Sequence, residues 1–267
     1  MRQSPGRQTV GEVVAFATDR ALAAVGNVSL TRLAAPFDSV STSGMALVGF
    51  LAHLPDGEAE RIHVGARRRR FQRGDIVFHE GDAGDTLHLV SAGRFGVQTG
   101  TAEGDRVMLE IVSPGEVFGE LSMFGSRRIR TATVVTLEAG ETQSIDADSV
   151  RALCERIPEA ARYFLSLLAD RSGRHTTRLL EIVFVPAEIR VVRRIVELAA
   201  AFPDGIQLTQ EQVGEMACTS RATVNKVLRA EQQRGALELG RGTVVINDVD
   251  LLRERAVRGS VPPREPP

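Results

Sequence analysis

Short, mostly apolar runs separated by turn residues fill residues 67–146 and limit what this chain can fold into. The runs are three to five residues long, as at 76–78, 87–90 and 107–111. Turn pairs such as Gly74-Asp75 and Pro114-Gly115 stand between them. Closely spaced short strands of this kind are typical of antiparallel barrels and jelly rolls. The pattern therefore predicts a β-roll for this segment.

Within that segment, residues 114–134 carry the side chains best suited to binding a small ligand. Gly119 allows close approach of the backbone, and the short helical turn expected after it has free N–H groups that favour an anion. Glu120 is suited to accepting hydrogen bonds from sugar hydroxyls, and ten residues later Arg130 supplies a guanidinium fork that matches phosphate. A ligand with a ribose and one phosphate would satisfy both. The alternative is an ordinary glycine turn followed by a surface arginine.

This segment resembles the phosphate-binding cassette of cyclic-nucleotide-binding domains, and residues 45–250 resemble bacterial regulators of the cyclic AMP receptor (CRP/FNR) family. The resemblance implies a cyclic nucleotide as the allosteric ligand and no metal. It favours cyclic AMP over cyclic GMP, although Thr131 could bond either a phosphate or a guanine edge. The ligand-binding residues that it implies are Gly119, Glu120, Leu121, Ser122, Arg130, Thr131 and Thr176.

Residues 148–184 have a helical pattern, with a short helix interrupted at Ile157-Pro158 and a longer one from Glu159. The longer helix is apolar near both ends and polar over residues 170–178, which suits packing on a partner helix with a gap in the middle. The resemblance makes it a dimerisation helix whose centre meets the nucleotide base. It makes Thr176 a candidate base contact, and His175 departs from the family's hydroxyl at the neighbouring position. Thr176 could equally be an exposed helix residue.

A second motif follows Pro186, a residue that starts a helix better than it continues one. We expect a new helix at about residues 186–201. Thr209 and Gln212 then form a capping-box signature, and Ser220 is a candidate cap for another helix. The two capped helices share an apolar face, which is the helix-turn-helix pattern. Residues 235–247 resemble a β-hairpin wing.

The helix-turn-helix predicts a face that reads DNA. Two residues depart from the family pattern: Ala222 replaces a common glutamate, and Cys218 stands where the turn usually has glycine, a position that often requires positive φ. Lys226 is the only lysine of the chain. The predicted DNA-binding residues are Thr209, Ser220, Arg221, Thr223, Asn225, Lys226, Arg229 and, at the wing turn, Arg241. The alternative for this region is a small domain that binds protein.

The composition of the chain limits the classes of protein to which it can belong. The chain has 267 residues, 43% of them hydrophobic, and a net charge of −1, so DNA binding has to come from a local patch. The 2 cysteines are too few for an iron–sulfur cluster held by four cysteines. We expect no membrane association and a cytoplasmic location, since no apolar run is long enough to span a bilayer. The run Arg67–Arg70 is interpreted as a solvated strand edge rather than a nucleic-acid site.

A barrel with histidines also suggests a metal enzyme of the cupin type. Such a site needs two or three converging histidines and a carboxylate, commonly with a His-x-His pair on one strand. The nearest candidates, His79 and His88, do not alternate on one strand. We therefore predict a protein that is not an enzyme.

The resulting hypothesis is an α+β protein with an antiparallel β-roll (jelly-roll) domain, a long dimerisation helix and a winged helix-turn-helix. Its function is that of a homodimeric transcription regulator that binds double-stranded DNA under the control of a cyclic nucleotide, with RNA polymerase as a further candidate partner. Two alternatives remain: a family member that is nucleotide-independent or senses another effector, and a nucleotide-sensing module that binds protein. The expected segments are an extension at 1–44, the β-roll at 45–147 with a lead-in helix over 45–62, the dimerisation region at 148–184, the DNA-binding domain at 185–250 and a tail at 251–267.

Overall fold

A computed structural model of the chain describes residues 49–258. The predicted extension at 1–44 and the proline-rich end at 259–267 lie outside the described residues. The lead-in is not one continuous helix: a 3₁₀ turn at Gly49–His53 is followed by helix α1 at Asp56–Gly65. Pro55 separates the two because proline fits the start of a helix but not its interior.

Eight strands form the predicted β-roll as two four-stranded antiparallel sheets. The strands are β1 Arg67–Phe71, β2 Ile76–Phe78, β3 Thr86–Ala92, β4 Phe95–Gly100, β5 Arg106–Val112, β6 Val117–Phe118, β7 Thr133–Thr136 and β8 Gly140–Asp146. One sheet has the order β1-β8-β3-β6 and the other the order β2-β7-β4-β5. Aromatic side chains such as Phe95 and Phe118 fill the space between the sheets, with ring centroids 5.5 Å apart. The β-roll prediction is confirmed.

The arginine run forms β1, an edge strand whose four arginines are exposed. Arg68 and Arg70 both pair with Glu141 of the neighbouring strand β8. Charged side chains on an edge strand oppose pairing with another sheet. The interpretation of this run as a solvated strand edge is therefore confirmed.

Two helices follow the roll. Helix α3 spans Ala147–Arg156 and packs on β3 and β8, and helix α4 spans Pro158–Phe184. The chain extends at Ile157, where φ is −118° and ψ is 101°, and Pro158 starts the new helix. With 27 residues, α4 is about 40 Å long. Its N-terminal end is anchored by Phe164, which packs on Phe50.

The C-terminal domain is built around a single apolar core of helices and a hairpin. Its elements are α5 Ala187–Ala201, α6 Gln210–Ala217, α7 Arg221–Gln233, β9 Leu237–Leu239, β10 Val244–Ile246 and α8 Val249–Arg258. Residues 249–258 were not predicted as helix. They form one because Leu252 and Ala256 are buried in the same core as Val192 and Ile195 of α5.

The C-terminal domain also packs against the β-roll. Met108 of β5 and Leu137 join its apolar core. Around this contact, Arg106 lies 3.3 Å from the carboxylate of Glu215 on α6, and Arg73 donates a hydrogen bond to the carbonyl of Gln207 at 2.6 Å.

Candidate functional site

A short helix, α2 at Glu120–Phe124, follows β6 and carries the start of the predicted ligand-binding segment. Gly119 precedes it with φ 90° and ψ 4°, a left-handed conformation that favours glycine. A Cβ atom at this position would lie 2.6 Å from a terminal nitrogen of Arg130. Glycine is therefore required here both for its backbone angles and for the close approach of Arg130.

The guanidinium of Arg130 is buried, with 3% of the residue exposed. It donates hydrogen bonds to the carbonyl and hydroxyl oxygens of Thr86 at 2.8 and 2.7 Å, and to the hydroxyl of Ser122 at 2.9 Å. It also lies over the ring of Phe78, 4.0 Å from the centroid. Its Nε is buried without a hydrogen-bond partner among the described residues. This arrangement leaves a buried donor that an anion could satisfy.

Glu120 is equally buried and pairs with Arg171 from the centre of α4 at 2.5 Å. Arg171 also lies 3.0 Å from Glu110 of β5 and donates a hydrogen bond to the carbonyl of Val117 at 2.8 Å. Burial alone would lower the pKa of Arg171, but the charges of Glu120 and Glu110 raise it. One side chain of α4 is thus joined to three parts of the roll.

These residues surround a cleft between the roll and α4, which we call the cassette cleft. Its cavity is about 50 Å³, below the roughly 300–1,000 Å³ usual for small-molecule sites, so a nucleotide can enter only if side chains or α4 move. The six predicted residues of the cassette lie together in its lining, beside Glu110, Arg171 and His175: Gly119, Glu120, Leu121, Ser122, Arg130 and Thr131.

Thr176, the predicted base contact, is not part of this lining. It is exposed, and its hydroxyl donates to the carbonyl of Ser172 at 3.0 Å, within its own helix. His175, one residue earlier, faces the cleft instead. Within one chain, therefore, the structure does not bring Thr176 to the cassette.

The helix-turn-helix has the predicted caps. The hydroxyl of Thr209 accepts from the backbone N–H of Gln212 at 3.1 Å, and the Gln212 side chain accepts from the N–H of Thr209 at 2.9 Å. The hydroxyl of Ser220 accepts from the N–H of Thr223 at 3.2 Å. Cys218 has φ 48° and ψ 54°, so the expected positive φ is present without a glycine.

The predicted DNA-binding residues are distributed over two helix starts, α7 and the wing: Thr209 precedes α6, Ser220 precedes α7, Arg221, Thr223, Asn225, Lys226 and Arg229 lie on α7, and Arg241 lies at the wing. Arg221 and Arg229 are exposed and Asn225 is half-buried. Lys226 is exposed and pairs with Glu188 of α5 at 3.3 Å. Arg241 is exposed in the turn between β9 and β10. On α7, no acidic residue lies between Arg221 and Arg229. The first acidic residue of this helix is Glu231, which is buried.

Comparison with known proteins decides the family. A model of the cyclic nucleotide-binding domain matches residues 68–157, and a model of the Crp-like helix-turn-helix domain matches residues 189–255. Over 196 residues the chain is 33% identical to the CRP-like cAMP-activated global transcriptional regulator of Mycobacterium tuberculosis, a match that covers 70% of this chain and 86% of the relative. The cyclic AMP receptor protein of Thermus thermophilus is 31% identical over 191 residues, with 71% and 88% covered.

The chain belongs to the CRP/FNR family of transcription regulators. It is a DNA-binding regulator with a cyclic-nucleotide-binding domain, and it is not an enzyme.

Solved structures of CRP/FNR regulators share this fold. The c-di-GMP responsive global regulator CLP of Xanthomonas campestris aligns with a TM-score of 0.64 at 22% identity, covering 72% of this chain and 99% of that one. FixK2 of Bradyrhizobium japonicum aligns with a TM-score of 0.64 at 16% identity, covering 71% and 96%.

Sequence reasoning missed two charged residues of the cassette cleft in this CRP/FNR regulator, Arg171 and Glu110. Arg171 was noticed only as part of the polar middle of α4. Its position one helical turn before His175 is the signal that could have identified it, because residues four apart share a helix face. Glu110 interrupts an apolar run on β5, and a single carboxylate in a half-buried strand is a weak signal.

Sequence reasoning considered His88 only as a candidate metal ligand, and it did not predict how this residue of β3 packs. Its ring stacks on Phe118 with centroids 4.9 Å apart, and its Nδ1 lies 3.0 Å from the hydroxyl of Thr142. Burial, helped by the charge of Arg130, lowers the pKa of His88 from 6.5 to about 3. This CRP/FNR regulator therefore keeps a buried, neutral imidazole within electrostatic reach of the arginine of its cassette cleft.

Two further findings concern residues 49–258 only. No group of three or more His, Cys, Asp or Glu side chains in this part of the chain is placed to hold a metal ion. None of its helices combines the length and the apolar character needed to cross a membrane.

Proposed function

We propose that this regulator is a homodimer whose binding to DNA is controlled by a cyclic nucleotide, with cyclic AMP as the preferred ligand. The observation that carries the proposal is the buried Arg130, which lines a cleft together with Glu120 and whose Nε has no hydrogen-bond partner among the described residues. Arg130, Thr131 and the 119–122 turn would hold the phosphate. Glu120 would accept hydrogen bonds from the ribose.

The pairing of Glu120 with Arg171 suggests how the ligand acts. Ribose hydroxyls would compete with Arg171 for the carboxylate of Glu120, and the small cavity requires α4 or the side chains around it to move. Arg171 lies on α4, so any change in its pairing alters how this helix sits on the roll. Nucleotide binding would thereby reach the helix that leads to the DNA-binding domain.

Exposed apolar side chains on α4 support the homodimer. Leu165, Leu179 and Val183 are 67%, 64% and 70% exposed in the single chain. Pairing of two α4 helices would cover such residues and bring Thr176, which faces away from its own cleft, towards the partner's nucleotide. The two α7 helices would then lie about 34 Å apart, in successive major grooves.

On DNA, Arg221 would contact guanine, and Asn225, Lys226 and Arg229 would contact bases or phosphates. Arg241 would position the wing on the backbone. Contact with RNA polymerase is proposed as well, since it is typical of the family. Cyclic AMP is preferred because two relatives above 30% identity are named as cyclic AMP receptors or cAMP-activated regulators.

One observation favours a second candidate, a regulator that acts without a nucleotide. The guanidinium of Arg130 makes four hydrogen bonds to oxygens of the protein itself, so most of its donors have partners within the chain.

Calorimetric titration with cyclic AMP, and then with cyclic GMP, separates the two candidates. Saturable binding is expected, and Arg130→Ala should weaken it about ten- to a hundredfold, because a hydrogen bond to a charged group contributes about 1.5–3 kcal/mol. Thr99→Ala serves as a control, because Thr99 lies on β4 but not in the lining of the cassette cleft. The opposite result is that folded, ligand-free protein gives no heat with either nucleotide and neither nucleotide competes for binding. That result would support the nucleotide-independent regulator instead.

A further inference from the structure

The joint between α4 and the DNA-binding domain consists of only two residues, Val185 and Pro186. The last carbonyl groups of a helix have no partner within it. At this joint Arg190, in the first turns of α5, supplies one. Its NH1 donates to the carbonyl of Val185 at 2.8 Å and lies 3.4 Å from that of Ile182.

The same guanidinium reaches a second helix end. Its Nε donates to the carbonyl of Ala217 at 2.9 Å, and its NH2 donates to the carbonyl of Cys218 at 2.9 Å. These are the last residue of α6 and the left-handed residue that caps it. A cation is favourable at the C-terminal end of a helix, and here a single cation is shared by two such ends.

The second contact lies immediately before the helix that reads DNA. Only Thr219 and Ser220 separate Cys218 from the start of α7. The position of α7 is therefore tied through one side chain to the end of α4. We propose that Arg190 is a positioning residue for DNA reading, which sets the recognition helix relative to the dimerisation helix. This inference rests on the proposed homodimer.

The chemistry of the contact requires arginine. All three guanidinium nitrogens are used, and they point to carbonyls of two different elements. Lysine would keep the positive charge but concentrates its donors at one atom, so it cannot bridge both helix ends in the same way. Arg190→Lys thus removes the bridge and keeps the charge.

The test compares full-length wild-type protein with Arg190→Lys and Arg190→Gln. Arg253→Lys is the matched control, because Arg253 is exposed on α8 and pairs only locally with Asp250 at 2.9 Å in the described structure. DNA selected by the wild-type protein from a random pool is used as a two-half-site duplex and as a duplex with one half-site. Affinities are measured in the nucleotide state that binds DNA more tightly.

Both Arg190 variants should bind the two-half-site DNA at least about tenfold more weakly, and bind the single half-site within about twofold of wild type. If Arg190 served only to keep the domain folded, its loss would weaken binding to both duplexes, because a misfolded helix-turn-helix binds neither of them. Equal losses on the two duplexes, or no loss on either, would overturn the proposal.

Amide hydrogen exchange of the free protein gives a second readout that needs neither DNA nor nucleotide. Residues 182–190 and 217–221 should exchange faster in Arg190→Lys than in Arg253→Lys, and unchanged exchange would contradict the role of Arg190. Wild-type protein that shows no preference for two half-sites would refute the proposed homodimeric mode. The exchange measurement would still decide whether Arg190 ties α4 to the turn before α7.

Discussion

Arg130, Glu120 and Arg171 are all buried, and all three bond to groups of the protein itself. Arg130 is held by oxygens of Thr86, Gly119 and Ser122, while Glu120 and Arg171 form an ion pair. Removing one partner of a buried ion pair is costly because the other charge remains buried. A bound nucleotide would offer phosphate oxygens to Arg130 and ribose hydroxyls to Glu120, and Arg171 would keep the carboxylate of Glu110, so each buried group would keep a hydrogen-bonding partner.

His88 provides a prediction on pH and stability. Its pKa is about 3 when folded and about 6.5 when unfolded, so the unfolded state takes up a proton first as the pH falls. The contribution of His88 to the free energy of unfolding is complete above pH 6.5 and is lost progressively from there down to about pH 3. At pH 5.5 the loss is about 1.4 kcal/mol.

Urea unfolding at pH 7.5 and pH 5.5 measures this loss, with His88→Gln as the comparison. Both proteins share all other titrating groups, so wild type should lose about 1.4 kcal/mol more than the variant over this interval. Equal losses in the two proteins would mean that His88 is not held neutral in the fold.

At the scale of elements, the attachment of α4 to the roll depends on Arg171. Arg171→Gln leaves Glu120 buried without its cation, and the free energy of unfolding should fall by about 3–5 kcal/mol. Arg174→Gln is the matched control. Arg174 also pairs with Glu110, at 3.4 Å, but its side chain is 54% exposed, so this change should cost at most about 1 kcal/mol.

Denaturant unfolding of the two variants compares these costs directly. If Arg171→Gln destabilises the protein no more than Arg174→Gln does, then the buried ion pair does not hold α4 on the roll. The coupling route proposed through Glu120 would then lack its mechanical link.

Helix α7 and the wing support a prediction about how DNA affinity depends on salt concentration. Each phosphate contact adds about −0.9 to the slope of log K against log salt concentration. Lys226→Met and Arg241→Met should each make the slope shallower by about 1.8, or about 0.9 for each subunit of the proposed homodimer, if the side chain contacts a phosphate, whereas Arg253→Met should leave it unchanged. If all three variants have the same slope as the wild-type protein, DNA binds to another surface.

The elements most accurately predicted from sequence are those whose signals are local. Periodic turns predicted the β-roll, and the pair Thr209-Gln212 and the cap Ser220 predicted helix starts, because a cap bonds within three residues. The prediction of one continuous lead-in helix was wrong because Pro55 lies within the predicted segment. Arg171 and His88 were missed because their partners lie 51 and 54 residues away, at Glu120 and Thr142, and such contacts leave no pattern in the neighbouring sequence.

At the scale of the molecule, the net charge of −1 means that overall charge does not draw the protein to DNA. Binding then depends on where two local basic surfaces are placed. In the proposed homodimer that placement is set by α4, which contacts the cassette cleft at Arg171 and ends at the joint with the DNA-binding domain. Because binding free energies are linked, a nucleotide that tightens DNA binding must itself be bound more tightly on DNA.

The most direct measurement is the affinity of the full-length protein for its selected DNA, by fluorescence anisotropy at one fixed salt concentration, without nucleotide and with saturating cyclic AMP. The nucleotide should tighten DNA binding about 5- to 150-fold, the range of typical coupling free energies, and should have no such effect on Arg130→Ala. DNA affinity that is unchanged or weakened by the nucleotide, for every DNA tested, would contradict the proposed control of this regulator.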